Sequence, residues 1–435
     1  MIMRLRLSPP GVVLALLCAM YFLLFVNRTN LAIAGPLMQA DLKLNNTEFG
    51  LAFSAFAIPY ALFQLFGGMI GDKFGPRWTL AVSAFVVFLA TAWIGAVGGL
   101  TSLFLARLLL GIGEGAAFPT ATRAMAAWTP QGRWGFAQGI THTFSRIGNG
   151  ATALIVAALI AWFSWRESFY LLAPVNLLWM ALWFWYFRDS PRQHPSMTPD
   201  VLATLPVRAS SQGRPSIPWL RLARRIMPVT TVDFCYGWTL WIFQNWIQSY
   251  FVQNYSLDTS TASFYSASVL FAGVIGDTMG GVASDLVLHR TGSLVLARRS
   301  VIAVGFLGGA LFMIPVVLVH DLTVSAISLG LAFLFSELIV GPIWAVPMDI
   351  APRYAGTASG MMNFGFGVAG IVSPLFFGTM IDLTGTWTVP FIVSIALLLL
   401  GAVLTLRLRP DLPFLEEEPP GLKASRREIS EPRRA

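Results

Sequence analysis

Long apolar runs follow one another along almost the whole chain, separated by short polar connections. Most runs reach about 20 residues, the length that a helix needs to cross the ~30 Å hydrocarbon core of a bilayer. The pattern predicts an all-α membrane protein of twelve transmembrane helices. The predicted spans are 11–34, 47–67, 78–98, 99–121, 135–160, 166–187, 226–252, 261–284, 299–319, 322–346, 355–379 and 387–408.

The composition agrees with a membrane protein. Of the 435 residues, 56% are hydrophobic and 11% are charged, whereas a soluble protein has roughly 25% charged residues. The first span follows two arginines, as a secretory signal does, but its length and its Asn27-Arg28 pair predict a helix of the mature protein. Cys18 and Cys235 lie in apolar spans and the histidines are scattered, so we expect no disulfide, no metal site and no cofactor.

The basic residues predict the orientation. Apart from three arginines inside spans, only Lys43 and Arg166 fall on one side of the membrane, and all other Lys and Arg residues fall on the opposite side. The positive-inside rule places that side, with both termini, in the cytoplasm of a multi-pass protein of the inner (plasma) membrane. The net charge of +8 is concentrated there, and the basic tail is expected to face anionic lipid rather than nucleic acid.

A polar, proline-rich segment divides the chain. It predicts an N-terminal six-helix bundle at 1–187, a cytoplasmic linker at 188–225, a C-terminal six-helix bundle at 226–408 and a cytoplasmic tail at 409–435.

A short motif occurs in both predicted halves. Gly-Gly pairs after the second span of each half lead to Asp72 and to Asp285, which indicates an internal duplication. Glycine allows close helix approach, and an acid beside basic residues can form a charge cluster that breaks during conformational change; the alternative is that the acid only marks the membrane boundary. The predicted gating residues are Gly68, Asp72, Lys73, Gly75, Arg77 and Asp285.

On this motif the chain resembles the major facilitator superfamily. More narrowly it resembles the anion:cation symporter branch, which includes bacterial carriers of sugar acids such as galactonate and glucarate. The resemblance covers residues 15–405 and implies two pseudo-symmetric bundles that work by alternating access, and we expect a monomer. The matching stretches are 27–31, 54–56 with 59–60, Arg107 with 111–114, 187–191 with 194–195, and 341–344 through 349–352.

Charged residues inside the spans are the candidate site, because an ionised group at the bilayer centre costs at least ~2.5 kcal/mol. Arg28 and Arg107 lie at similar depths in different spans and could together clamp a carboxylate or phosphate. Glu114 follows Arg107 by nearly two helical turns, on one face and about 10 Å along the axis. It is predicted to couple proton and anion movement, as the resemblance also implies; the alternative is a permanent structural ion pair.

One position departs from the resembling family. Where the family commonly has an acid before the helix-1 arginine, this chain has Asn27, which cannot titrate. Either Glu114 carries the proton alone, or another acid compensates, or coupling differs. The acids available in other spans are Asp233, which we favour, Asp277 and Glu337.

Other polar residues in the spans have open roles. Arg146 and His142 share a face of span 5 and either add positive charge to the cavity or join a network with acids. The resemblance places Tyr60 and Asn363 at the substrate, where a hydroxyl and an amide suit a polyhydroxylated acid.

The leading hypothesis is therefore a proton-coupled importer of a small organic anion, a sugar acid or other carboxylate. The alternatives are an antiporter of organophosphate and phosphate or another anion, and a transporter-like nutrient sensor. An enzyme is not expected, because the sequence shows neither a nucleophile with a base nor a set of metal ligands. The expected partners are the anion, protons and the lipid bilayer, without nucleic acid.

Overall fold

The computed structural model describes residues 8–130, 134–205, 218–351 and 354–414, which are mostly helical. The first helices are α1 (Pro9–Leu42), α2 (Asn46–Phe74), α3 (Pro76–Gly95), α4 (Leu100–Gly115), α5 (Ala117–Trp128), α6 (Trp134–Trp162) and α7 (Trp165–Tyr186). A short 3-10 helix at Pro191–Gln193 follows. The remaining helices are α8 (Pro199–Thr204), α9 (Trp219–Tyr255), α10 (Thr259–Thr291), α11 (Leu294–Leu318), α12 (Leu322–Glu337), α13 (Val340–Ile350), α14 (Ala355–Thr384) and α15 (Thr388–Thr405).

The described chain has ten segments that are long and apolar enough to cross a membrane. Two further long helices are α2, with 29 residues, and α9, with 37; at a rise of 1.5 Å per residue both exceed the hydrocarbon core. α9 packs between helices on several sides and buries polar side chains such as Gln244, Asn245 and Gln248, so it does not need a uniformly apolar surface. With these two helices the predicted count of twelve crossings is reached.

The fourth crossing of each half is broken in its middle. α4 gives way to α5, and α12 to α13, so the continuous spans predicted at 99–121 and 322–346 are each two helices. Glu114 and Glu337 stand at the breaks, each five residues before a proline, Pro119 or Pro342. Proline has no N–H and cannot continue the hydrogen-bond ladder to the carbonyl four residues earlier. The same arrangement in both halves supports the predicted duplication.

The second crossing of each half lies directly against that break. A Cβ atom added at Gly67 would come within 2.8 Å of the Cα of Ala116, and one added at Gly280 within 2.8 Å of the Cα of Leu338. No side chain fits at either crossing. Gly67 and Gly280, the first glycine of each Gly-Gly pair, are thus positions where two helices approach closely.

Helices of the two halves pack together at one end of the bundle. We call the end that bears the α1–α2 connection the hairpin side and the end that bears residues 187–205 the linker side. On the hairpin side α2 packs against α14, and Ser54 Oγ donates to the carbonyl oxygen of Ile371 at 2.6 Å. The two halves are therefore held together on the hairpin side.

One predicted boundary shifts. α9 begins at Trp219, inside the segment 188–225 assigned to the linker, and its first turns are held by Arg225, which donates to the carbonyl oxygens of Arg409 and Leu412 at 2.6 Å each. Residues 415–435, most of the predicted tail, lie outside the described residues.

Candidate anion-binding site

Arg28 lies in the middle of α1 and is sealed inside the protein, with 2% of its surface exposed. Its Nε and Nη2 atoms donate to the same oxygen of Glu114, at 3.2 and 2.8 Å. Its guanidinium carbon also lies between 4.6 and 5.6 Å from the centroids of four aromatic rings, and these contacts replace part of the stabilisation that water would give. The rings belong to Phe25, Phe56, Tyr60 and Trp241.

Arg107, in α4, is fully buried but only partly bonded. Its Nε donates to the carbonyl oxygen of Ala52 in α2 at 3.3 Å. Its Nη1 and Nη2 atoms are buried and make no hydrogen bond within the described part of the chain. Buried donors without acceptors are costly, and more so on a charged group. The free edge of this guanidinium is therefore where an anion with two oxygens would be most stabilised.

The structure brings the two arginines to one place. Their guanidinium carbons lie 4.9 and 4.8 Å from the centroid of the same ring, Phe56. Glu114 shares α4 with Arg107 but pairs with Arg28 of α1, and its Oε1 has no hydrogen bond among the described residues. Two positive charges thus face one negative charge, and Arg107 is left without a counter-charge of its own.

The other predicted site residues are placed differently. Tyr60 lies at the arginines, with its ring 4.6 Å from the Arg28 guanidinium carbon and stacked on Phe56. Asn363 of α14 is 8% exposed and, within the described residues, forms no hydrogen bond to either arginine. Asp233 of α9 is 1% exposed, its Oδ2 has no hydrogen bond, and no ion pair reaches it in the described part of the chain. Its role in proton coupling stays a prediction.

Asn27 points away from the arginines and into the first half. Its amide nitrogen donates to the Leu23 carbonyl at 2.8 Å and to Asn176 Oδ1 at 2.9 Å. Its oxygen accepts from Asn176 Nδ2 and from Thr91 Oγ1, each at 3.3 Å. Asparagine supplies both donors and acceptors here, whereas an ionised aspartate could only accept. Asn27, the residue that departs from the family pattern, therefore has all of its hydrogen-bonding groups satisfied in a network that joins α1, α3 and α7.

Sequence reasoning named Tyr60 but missed the other three aromatic rings around Arg28, those of Phe25, Phe56 and Trp241. One signal was available, because Phe56 and Tyr60 are four residues apart and so share a face of α2. Nothing in the sequence links Trp241 of α9 to Arg28 of α1, since that contact depends on how the two halves pack.

A second buried charge cluster joins the halves. Arg146 of α6 has Nη2 3.0 Å from Glu337 Oε2 and Nε 3.6 Å from Asp277 Oδ2. The Tyr236 hydroxyl donates to Glu337 Oε1 at 3.2 Å. Of the two roles left open for Arg146, the network with acids is the one present in this conformation. His142 packs edge-on against an aromatic ring of α1, with the ring centroids 5.6 Å apart.

The first copy of the repeated motif ends in a tight turn. Gly75 has φ +80°, and a Cβ there would lie 2.8 Å from the Asp189 carboxylate. The backbone N–H of Arg77 donates to Asp189 at 2.9 Å, and its guanidinium donates to the carbonyl oxygen of Phe184 at 3.1 and 2.8 Å. These contacts tie the motif to the end of α7, while Lys73 is exposed. The backbones of Gly68 and Asp72 lie in α2, and the surroundings of these two residues are outside the described part of the structure.

The second copy of the motif lies beside a charge cluster centred on Arg298. Arg298 of α11 donates from Nε to Asp349 of α13 at 2.9 Å and from Nη1 to Ser284 at 2.8 Å. Asp285 lies 3.8 Å from the same Nη1, with 71% of its side chain exposed. An exposed contact of this length contributes little, so Asp349 is the stronger partner.

Comparisons with known proteins extend over nearly the whole chain. The sequence matches the family model described as Major Facilitator Superfamily at residues 17–374 and 298–435. It is 44% identical over 411 residues to "Probable sulfoacetate transporter SauU" of Cupriavidus necator, covering 94% of this chain and 96% of that protein. It is 27% identical to "Probable galactarate/D-glucarate transporter GudP" of Escherichia coli, with 83% and 84% covered.

Among solved structures, a bacterial homolog to the human lysosomal transporter Spinster superposes with a TM-score of 0.76 at 16% identity, covering 93% of this chain and 98% of that one. This likeness concerns the fold alone. Together the matches confirm the predicted twelve-helix fold and the resemblance to sugar-acid carriers.

Proposed function

Since the chain belongs to the Major Facilitator Superfamily, we propose that it imports a small organic anion across the inner membrane together with protons. Its relatives are transporters of organic anions of the sugar-acid and sulfoacetate type, and the chain is a transporter of that kind rather than an enzyme. The proposal adds the direction, the coupling ion and the residues. Import proceeds by rocking of the two halves around the buried arginines.

The free edge of Arg107 carries this proposal. Its two guanidinium nitrogens Nη1 and Nη2, buried and without acceptors among the described residues, lie beside an arginine that is already paired. A carboxylate or sulfonate offers two oxygens at the spacing of that edge and supplies the missing negative charge. An apolar or cationic substrate would leave both donors unsatisfied.

The surroundings favour a compact substrate. The rings of Phe56, Tyr60 and Trp241 lie with their centroids between 5.3 and 6.4 Å apart and form one wall of the site. The relative at 44% identity is named for sulfoacetate, a two-carbon molecule with a sulfonate and a carboxylate. We infer that the substrate is a small anion of this kind.

The ion pair of Arg28 and Glu114 provides a route for coupling. An ionised Glu114 holds Arg28, and a proton on Glu114 releases Arg28 to join Arg107 at the substrate. A proton on Glu114 offsets one of the two negative charges that sulfoacetate carries, so each binding event favours the other. Substrate and proton then move together.

The linker side is assigned to the cytoplasm by the positive-inside rule. A conformation with the halves apart on that side is then the one that releases substrate into the cell. Both termini lie on that side, and the working unit is proposed to be a monomer in the bilayer.

The experiment is uptake of radiolabelled sulfoacetate into proteoliposomes with and without an inward proton gradient. The gradient should accelerate uptake, and Arg107→Gln should reduce substrate affinity at least tenfold, about the 1.4 kcal/mol of one charge-assisted hydrogen bond. Arg166→Gln is the matched control, because Arg166 is a partly exposed arginine on the hairpin side.

Two results would count against the proposal. If the proton gradient gives no acceleration, the coupling is wrong. If Arg107→Gln binds sulfoacetate as tightly as the wild-type protein and both proteins melt at the same temperature, Arg107 is not part of the substrate site. Glu114→Gln should keep exchange of internal for external substrate but lose accumulation driven by the gradient.

A further inference from the structure

The cluster around Arg146 has one acid more than it needs. Glu337 and Asp277 both face a single guanidinium, and Glu337 is completely buried. With both carboxylates ionised, one negative charge stays without a partner at membrane depth, which is costly. A single proton bound by the pair removes that charge. The Tyr236 hydroxyl donates to the other oxygen, Oε1 of Glu337, at 3.2 Å, whereas Oε2 has the ion pair with Arg146 but no hydrogen bond among the described residues.

The substrate site next to it has the opposite imbalance. There, among the described residues, two arginines lie beside a single acid, Glu114. The two clusters meet at one ring, since the guanidinium carbons of Arg28 and Arg146 lie 4.8 and 5.9 Å from the centroid of Phe25. While the substrate site is empty, its extra positive charge offsets the extra negative charge beside it. A bound anion removes that compensation and makes a proton on the neighbouring acids favourable.

The fold gives Glu337 a position equivalent to that of Glu114. Each stands at the break of the fourth crossing of its half, five residues before a proline. The partners differ, because Glu114 pairs with Arg28 of its own half whereas Glu337 pairs with Arg146 of the other half. A proton at Glu337 therefore weakens a contact between the halves, at the level where they must separate.

We propose that Glu337 and Asp277 together form a second proton-binding site. This site takes up a proton when the anion binds, and the proton loosens the contact of the two halves at Arg146. Arg146 and His142 of α6 and Tyr236 of α9 face this pair, and Asp233 of α9 lies near Tyr236. Over its described length α11, which also packs on α12, carries titratable groups only at Arg298 and Arg299 near its start. The inference rests on the proposed function, since it adds a proton to the same transport cycle.

The first test counts protons. Calorimetric titration with sulfoacetate at one pH, in buffers of different ionisation enthalpy, gives the number of protons taken up per anion. The wild type should take up about one proton more than Glu337→Gln or Asp277→Asn, because either variant leaves Arg146 with a single acid. Glu337→Asp should restore the uptake. Asp200→Asn, on the exposed helix α8, is the matched control and should match the wild type.

A second test needs no substrate. Infrared difference spectra between acidic and neutral pH should show a protonated carboxyl band in the wild type that is absent from Glu337→Gln and from Asp277→Asn. Melting curves of both variants show whether they are folded.

The outcomes separate the two claims. Equal proton uptake in the wild type and in both variants, with an unchanged infrared band, overturns the inference and leaves the proposed function standing. If the wild type takes up no proton at all while binding sulfoacetate, the proposed coupling and the inference fall together.

Discussion

Replacing Asp382 by asparagine should release the hairpin side of the protein. Asp382 lies at the end of α14, and its carboxylate caps the first residues of α2 in the opposite half. It accepts from the backbone N–H of Asn46 at 3.2 Å and of Thr47 at 2.6 Å, and from their side chains at 2.9 and 2.7 Å. These bonds exist only while the halves are together on this side.

The size of the effect follows from these four bonds. An asparagine keeps one acceptor oxygen and so loses about two of the bonds, each with a net contribution of about 1 kcal/mol. The negative charge at the positive end of the α2 dipole is lost as well, at about 0.5 kcal/mol for an exposed group. A total of about 2.5 kcal/mol shifts the balance between closed and open hairpin sides by about seventyfold.

The assay is a distance measurement by pulsed electron spin resonance. Spin labels at Ala40→Cys in α1 and Leu383→Cys in α14 report the separation of the halves, in a background where the buried Cys18 and Cys235 are replaced by serine. Asp382→Asn should populate a longer distance.

The matched control for this measurement is Asp258→Asn. Asp258 caps α10 on the same side with similar bonds, to Ser260 and Thr261, but within one half. The reasoning is refuted if Asp382→Asn gives the parent distance distribution, or if Asp258→Asn lengthens it equally.

Three more outcomes are expected. Asn27→Asp should lower the melting temperature by several degrees, because a buried carboxylate would face the Leu23 carbonyl oxygen and Asn176 Oδ1 without a donor. The variant should not raise the number of protons taken up per anion in the calorimetric titration. Gly75→Ala should destabilise by about 1–2 kcal/mol through its positive φ and the nearby Asp189 carboxylate; an unchanged melting curve would contradict this. Gly67→Val should abolish uptake in proteoliposomes, while Gly98→Val, which has open space, should not.

The fold could be predicted largely because a bilayer fixes the length of each crossing. The apolar runs therefore located the spans to within several residues. The breaks near Ala116 and Leu338 were not predicted, because a proline near the end of an apolar run is equally compatible with a kinked continuous helix. The extra length of α9 was also missed, since the residues before 226 are too polar to count as an apolar span.

The site was predicted less completely. The predicted depth in the membrane identified Arg28, Arg107 and Glu114 as candidates. The spacing of residues along one helix shows only which side chains share a face, and it does not show which residues of other helices they contact. The partner of Glu114 lies 86 residues away on another helix and depends on packing. The same limit applied to Arg146, whose acids come from two helices of the other half.

The aromatic rings around Arg28 have a consequence for ionic strength. Dissolved ions screen charges over about 8 Å at physiological concentration, but only where they can approach. With rings on several sides and 2% exposure, this guanidinium is beyond their reach while the halves are closed around it. Added salt should therefore slow the arrival of an anion at the open mouth without loosening an anion already enclosed. A carrier built in this way can retain its substrate equally well in dilute and in saline surroundings.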